Sequence, residues 1–238
     1  MDKEKVSIKR ILLSAVAASV LLAGCGSANA VSKDMLTVNK QERLDTKRLI
    51  QSQISKEAKD KGSVVNEEKY IFYLSKDAKT AFTALPLSTD IHVLPIENEQ
   101  PGQTNVETFE NGQYKASIRY ESFVYINGKK ARADVTYNIR NYTTDYERMK
   151  TAYKEFGNSD GVYKVDLNKN QSAYVRLSPE RRNETSREPN KAGAAFISFL
   201  TPEKHEVIEI YLNFERYKGS FGKKDLLDFA KDLIEQSY

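Results

Sequence analysis

Groups able to do acid–base or nucleophilic chemistry are few in this chain. Histidine occurs twice, at His92 and His205. One lies among prolines and the other in a predicted turn, neither spaced to meet a nucleophile, so both read as exposed loop residues. Paired carboxylates are the remaining catalytic device. Glu206 and Glu209 flank an apolar run, but three positions apart on a strand places them on opposite faces, where they do not converge. Glu97 and Glu99 stand two apart in a proline-bounded loop and can face together, as general acid–base hydrolysis requires. The segments Asn158–Gly161 and Asp166–Asn170 carry one acidic residue each, short of the spaced oxygen ligands that calcium takes. No G-x-S-x-G elbow, P-loop or H-E-x-x-H motif occurs. No metal and no cofactor is expected.

The most informative residue is the single cysteine, Cys25. Ahead of it, Lys3, Lys5, Lys9 and Arg10 outnumber Asp2 and Glu4, and Ile11 to Gly24 is free of charge. A basic patch, a short apolar run and a small-residue exit make the layout of an export signal. Fourteen residues fall short of the about 20 that a transmembrane helix needs. The exit Leu22-Ala23-Gly24-Cys25 resembles the lipobox of bacterial lipoproteins. That resemblance implies peptidase recognition through Leu22, Ala23 and Gly24, cleavage before Cys25, and diacylglycerol on its sulfur with further fatty acylation of the new amino group. A second exit, Ala28-Asn29-Ala30, fits an ordinary signal peptidase and would release a soluble protein, but it stands six residues past the apolar run. With two or more acyl chains the tether is stable, since each buried methylene contributes about 0.8 kcal/mol. A lipid-bonded Cys25 leaves no thiol for catalysis, metal binding or a disulfide.

Composition narrows the classes further. The leader holds four of the 37 basic residues and two of the 33 acidic ones, so much of the sequence pI near 8.9 belongs to it. In the remainder, charges of both signs interleave, the pattern of a solvated surface, not the clustered basic face of a nucleic-acid binder.

Periodicity supplies the elements. Residues 1–24 read as signal peptide and 25–38 as a small, polar tether. Residues 39–62 read as a helical segment with Leu44, Ile50, Ile54 and Ala58 on a thin stripe, closed by Gly62. A single α+β domain is expected over 63–238, beginning with a strand in Glu68–Ser75. Lys76–Gly102 reads as an irregular connection with a short strand at Ile91–Leu94. From Asn105 to Tyr142, alternation of period two around Asn111-Gly112 and Asn127-Gly128 predicts antiparallel hairpins with type I′ turns and one wet face. Thr144 and Glu147 have capping-box spacing, and Gly157 terminates a helix carrying Tyr146, Met149, Ala152, Tyr153 and Phe156 on one face. Strands follow at 161–167, 172–177, 193–201 and 206–217, with a charged loop at 179–191. A last amphipathic helix runs from Lys223 with Leu226, Leu227, Ala230, Leu233 and Ile234 inward. The expected fold class is α+β, an antiparallel sheet with helices packed on one face.

On the wet face Phe123, Tyr125, Tyr211 and Tyr217 interrupt the polar residues and form the candidate ligand-binding set. Together these features describe a lipid-anchored cell-envelope protein on the extracytoplasmic side of a membrane, held there through its diacylglyceryl cysteine. Its domain binds an envelope polymer or a protein partner, and no nucleic acid. The alternatives are an envelope hydrolase using the loop carboxylates, and a surface exclusion or assembly factor that binds another protein.

Overall fold

A computed structural model describes residues 35–52, 70–99, 103–109, 111–142, 144–157, 161–168, 171–178, 194–203, 205–214 and 221–237. Eleven strands and three α-helices are defined among them. The strands are β1 (Leu36–Val38), β2 (Ile50–Gln51), β3 (Tyr70–Leu74), β4 (Ile91–Val93), β5 (Asn105–Phe109), β6 (Tyr114–Ile126), β7 (Lys129–Arg140), β8 (Val162–Asn168), β9 (Gln171–Ser178), β10 (Ala194–Leu200) and β11 (Val207–Phe214). The helices are α1 (Ala78–Ala84), α2 (Thr144–Phe156) and α3 (Lys223–Ser237).

Nine strands form one antiparallel sheet in the order β2-β3-β5-β6-β7-β11-β10-β9-β8, and β1 pairs with β4 in a separate ribbon. The long β6–β7 hairpin lies near its middle. Its tip is the predicted type I′ turn, since Asn127 and Gly128 both take positive φ, 48° and 71°. The Asn111-Gly112 connection differs. Only Gly112 has positive φ, at 81°, while the Asn111 side chain accepts a hydrogen bond from the Gln113 N–H at 2.9 Å. The loop between β5 and β6 is longer than two residues, so the I′ geometry does not apply there.

The inner face carries the core. Ala116, Ile118, Tyr120 and Val124 of β6 continue through Ala133, Val135, Tyr137 and Ile139 of β7 to Ile208, Ile210 and Leu212 of β11 and Ile197 and Phe199 of β10. Onto this layer pack α1, through Ala81 and Phe82, the β1–β4 ribbon, and α3, through Leu226, Phe229, Ala230, Leu233 and Ile234. Tyr120 and Tyr137 stack with ring centroids 6.1 Å apart, and Phe82 meets the Tyr137 ring edge-on at 5.4 Å. Both hydroxyls close on the backbone of one residue, Leu94. Tyr120 donates to the Leu94 carbonyl at 2.9 Å, and Tyr137 accepts from the Leu94 N–H at 3.1 Å. Burial pushes both phenols well above their ordinary pKa.

The α+β class holds, but the helices are not confined to one face. Tyr146 and Met149 of α2 form a second cluster with Val162, Tyr174 and Val207, joined by Tyr153, Phe196 and Leu200. In the sheet register these strand residues point away from the main core. The physical reason is visible in β10 and β11, where Ile197, Ser198 and Phe199 and then Val207 to Ile210 are consecutively buried. A strand covered on both sides has no wet face to leave polar.

Three other expectations change. Leu36–Val38 belongs to the ribbon, so the tether ends before Leu36. Residues 39–52 do not form part of a long helix but a 3₁₀ turn at Thr46–Arg48 followed by edge strand β2. Leu49 is buried there while Ile50 is exposed, so Ile50 does not share an inward stripe. Within 76–102, α1 occupies Ala78–Ala84, capped by Asp77, whose carboxylate accepts the Thr80 N–H at 2.6 Å. Residues 53–62 of the expected helix, the signal peptide, Cys25 and the charged loop 179–191 lie outside the described residues.

Candidate binding face

The outer face is built by the positions that alternate with the core. Strict period two along β6 and β7 presents Ser117, Arg119, Glu121, Phe123 and Tyr125 beside Arg132, Asp134, Thr136 and Asn138, all partly or fully exposed. Of the described helices only α2 packs on this face, over β8 to β10 and the Val207 end of β11, so no described helix covers the stretch across β5, β6, β7 and the Tyr211–Asn213 end of β11.

Two register rows organise it. In the first, Arg176, Phe196, Tyr211, Thr136 and Arg119 follow one another across β9, β10, β11, β7 and β6. Phe196 and Tyr211 pack ring to ring at 4.3 Å with a tilt of 32°, both half-buried. An aromatic step between two arginines and a threonine offers a stacking surface with hydrogen-bond donors on each side. In the second row Asn98, Glu121, Asp134 and Asn213 stand side by side. Arg132 pairs with Glu121, and Arg119 reaches Asp134 at 3.7 Å. The Arg132 hydrogen bond and then that of Asn98 Nδ2 hold the Glu121 carboxyl below its ordinary pKa. A carboxylate so held stays ionised, which suits ligand recognition and opposes a role as general acid.

The aromatic candidates from the sequence divide here. Phe123, Tyr125 and Tyr211 all lie on the outer face. Phe123 sits under the Lys130 ammonium at 4.0 Å, and Tyr125 is 42% exposed. These two stand near the hairpin tip, whereas Tyr211 is two strands away and opposite Thr136, so the three do not form one cleft. Tyr217 lies outside the described residues.

The carboxylate pairs fare as their spacing requires. Glu206 and Glu209 are both buried and on opposite faces. Glu206 accepts from the Ser88 N–H at 3.0 Å, from Ser88 Oγ at 2.5 Å and from Thr201 Oγ1 at 3.0 Å, tying the loop after α1 to the β10–β11 hairpin. Glu209 meets Arg140 at 2.5 Å, a desolvated pair at the lower end of the outer face, with Tyr142 over the guanidinium at 5.6 Å. Glu99 accepts the Ala78 N–H at the start of α1, 2.5 Å away, while Glu97 is exposed. One member of the loop pair is thus occupied in structure. His92 Nδ1 and the Thr37 hydroxyl share a hydrogen bond at 3.1 Å across the ribbon, and His205 is exposed in the β10–β11 turn. The described residues hold no cluster of metal-binding side chains.

The Glu121–Asp134 neighbours escaped the sequence reading. Their signal is the turn itself, because a two-residue turn centred on Asn127-Gly128 pairs residues whose numbers are symmetric about it. No described helix is long and apolar enough to cross a membrane. Comparison with family models, curated proteins and solved structures finds no match to this chain.

Proposed function

We propose that this chain is a lipid-anchored binding protein of the bacterial cell envelope, held by diacylglyceryl Cys25 on the extracytoplasmic side and presenting its outer sheet face to an envelope polymer. The observation that carries the binding role is the open face itself. The partly exposed Tyr211 ring, seated on Phe196 at the border of the α2 cluster and flanked by Arg119, Arg176 and Thr136, brings an aromatic surface into an otherwise polar part of the sheet. The anchor rests on the residue order Leu22-Ala23-Gly24-Cys25 behind its apolar run.

Each part has its own test. Replacement of Cys25 by alanine leaves an unprocessed precursor without fatty-acid label, and a mature chain that begins at Val31 without acyl groups refutes the anchor. For the face, the protein is co-sedimented with insoluble wall polymer. Retention that falls about tenfold or more in Tyr211→Ala with Arg119→Ala fits the loss of one stacked ring and one charged contact. Unchanged retention, or none in the parent, refutes the role of this face. Turnover of the polymer that vanished with Glu97→Gln would favour the hydrolase reading instead.

A further inference from the structure

The geometry points to the upper end of the molecule, the β6–β7 tip together with the start of α3, as a contact surface for an anionic lipid bilayer. This inference rests on the lipid-anchor reading above. Two independent observations converge on that end.

The first is where the chain enters the fold. The segment leading into and out of β4 climbs the inner face. Ser88 is fixed at the lower end by Glu206, Leu94 is clamped at mid-height by Tyr120 and Tyr137, and Asn98 bridges to Glu121 above. β1 is antiparallel to β4, with Leu36 opposite Val93 and Val38 opposite Ile91, so it descends. Leu36 therefore marks the upper end of β1, the end at which the described residues begin. Nine residues lie between Cys25 and Met35, ten steps along the chain and a reach of at most about 35 Å. The lipid-bearing cysteine and the domain cannot stand further apart than that.

The second is the chemistry presented there. Lys129 and Lys130 on the hairpin arm and Lys223 and Lys224 on the first turn of α3 are all exposed. The two elements are held together by Asp225, whose carboxylate accepts the Gly222 N–H at 3.0 Å and approaches Asn127 Nδ2 at 3.4 Å. Lys223 also reaches the Tyr163 ring on β8 at 4.7 Å, so α3 joins the tip to the far part of a curled sheet. Tyr125, a residue 42% exposed, lies directly opposite Lys130. Lysines beside an amphipathic aromatic ring make the composition that settles at a negatively charged headgroup layer. Among the described residues of the tip and of the first turn of α3, these four ammonium groups outnumber the Asp225 carboxylate.

The lipidated mature chain is reconstituted into vesicles of neutral phosphatidylcholine, or of phosphatidylcholine with phosphatidylglycerol, and its lysines are modified with an amine-reactive ester. Flotation on neutral vesicles reads the anchor alone. A chain that fails to float there refutes the anchor, and the orientation falls with it. When it floats, modification of Lys129, Lys130, Lys223 and Lys224 should drop about tenfold on anionic vesicles relative to neutral ones. Lys40 and Lys47, exposed near the opposite end, should not change. Salt near 1 M, where screening acts over about 3 Å, should restore the lost reactivity. Equal reactivity of the four lysines on both vesicle types, in a chain that floats, overturns the proposal. So does equal protection of Lys40 and Lys47.

Discussion

Tyr137→Phe isolates the contact that fastens the entry ribbon to the sheet. Leu94 lies one residue past the β4 ladder, so no ribbon partner takes its backbone groups. Its N–H ends on the Tyr137 hydroxyl at 3.1 Å and its carbonyl on Tyr120 at 2.9 Å, with Leu94 and Tyr137 at most 1% exposed. Removing the Tyr137 oxygen keeps the stacked ring, the edge-on Phe82 contact and the buried area. It leaves one backbone N–H in the core without an acceptor, which costs about 1–3 kcal/mol. For a domain of this size that is a fall in Tm of about 2–12 °C. Tyr120→Phe strands a carbonyl instead, and under-satisfied carbonyls are tolerated better, so its cost should sit near the lower bound, about 1 kcal/mol. Tyr125→Phe, at an exposed position, should stay within about 0.5 kcal/mol of the parent. Urea unfolding followed by circular dichroism measures all three. Hydrogen exchange at Val93, Leu94 and Leu36 should quicken in Tyr137→Phe before that of the β6–β7 hairpin. A Tyr137→Phe protein as stable as the Tyr125→Phe control would refute the clamp.

Further outcomes follow from the same geometry. Glu209→Gln removes the buried carboxylate 2.5 Å from Arg140 and should destabilise by several kcal/mol in urea unfolding, whereas Asp134→Asn on the outer face should cost less than about 1 kcal/mol. Asp77→Ala removes the side-chain acceptor of Thr80 N–H and should cost about 1 kcal/mol. Partial burial works to raise the Asp77 pKa, but the Thr80 hydrogen bonds and the Lys76 charge hold it below its ordinary value. That contribution is therefore present above the unfolded carboxylate pKa and is lost as pH falls through the lower folded value, so an acid titration of stability should flatten in Asp77→Ala. Burial raises the phenols of Tyr114, Tyr120 and Tyr137. Their stabilisation is complete below pH about 10 and is lost as pH rises toward the folded values. Tyrosinate absorbance should accordingly show a group that ionises only together with alkaline unfolding.

How much of this was legible in the sequence depends on whether a residue's fate was local. The β6–β7 hairpin was legible because alternation and the Asn127-Gly128 turn agree, and the turn alone fixes the register. β10 and β11 were legible as strands, and the apolar residues on both alternating sets of FISFL and VIEI, broken only by Ser198 and Glu209, also signalled cover on both faces, a signal the one-face reading passed over. The helix expected over 39–62 rested on a thin stripe. Over residues 39–52 tertiary pairing to β3 overrode it, drawing Ile50 and Gln51 into the sheet edge. Helix α1 was hidden because AKTAFTA is two turns long and too short to show a period. The Phe196–Tyr211 contact requires the pairing of two strands across a turn, which no single segment announces. Glu206 gave no hint of its burial, since Ser88 lies 118 residues away.

The strand–strand–helix order that occurs twice, in β6–β7–α2 and β10–β11–α3, is informative because the two copies end on opposite faces. In the sheet the hairpins meet as β6-β7-β11-β10, with β7 antiparallel to β11, an arrangement that a two-fold axis normal to the sheet would generate. Such an axis would carry α2 and α3 to the same face. They separate because the inner face is already occupied where β7 ends. Arg140 lies at the lower end, where the loop bound to Glu206 and the base of the ribbon fill the core side, so α2 turns to the outer face. β11 ends at the upper end, where Phe214 still needs cover, and α3 supplies it through Phe229, ring centroids 6.0 Å apart. The ribbon and the loop after α1 thus fill the inner face where β7 ends and leave it free where β11 ends. With α2 over β8–β10 and α3 inward, no described helix covers the outer surface of β6 and of most of β7.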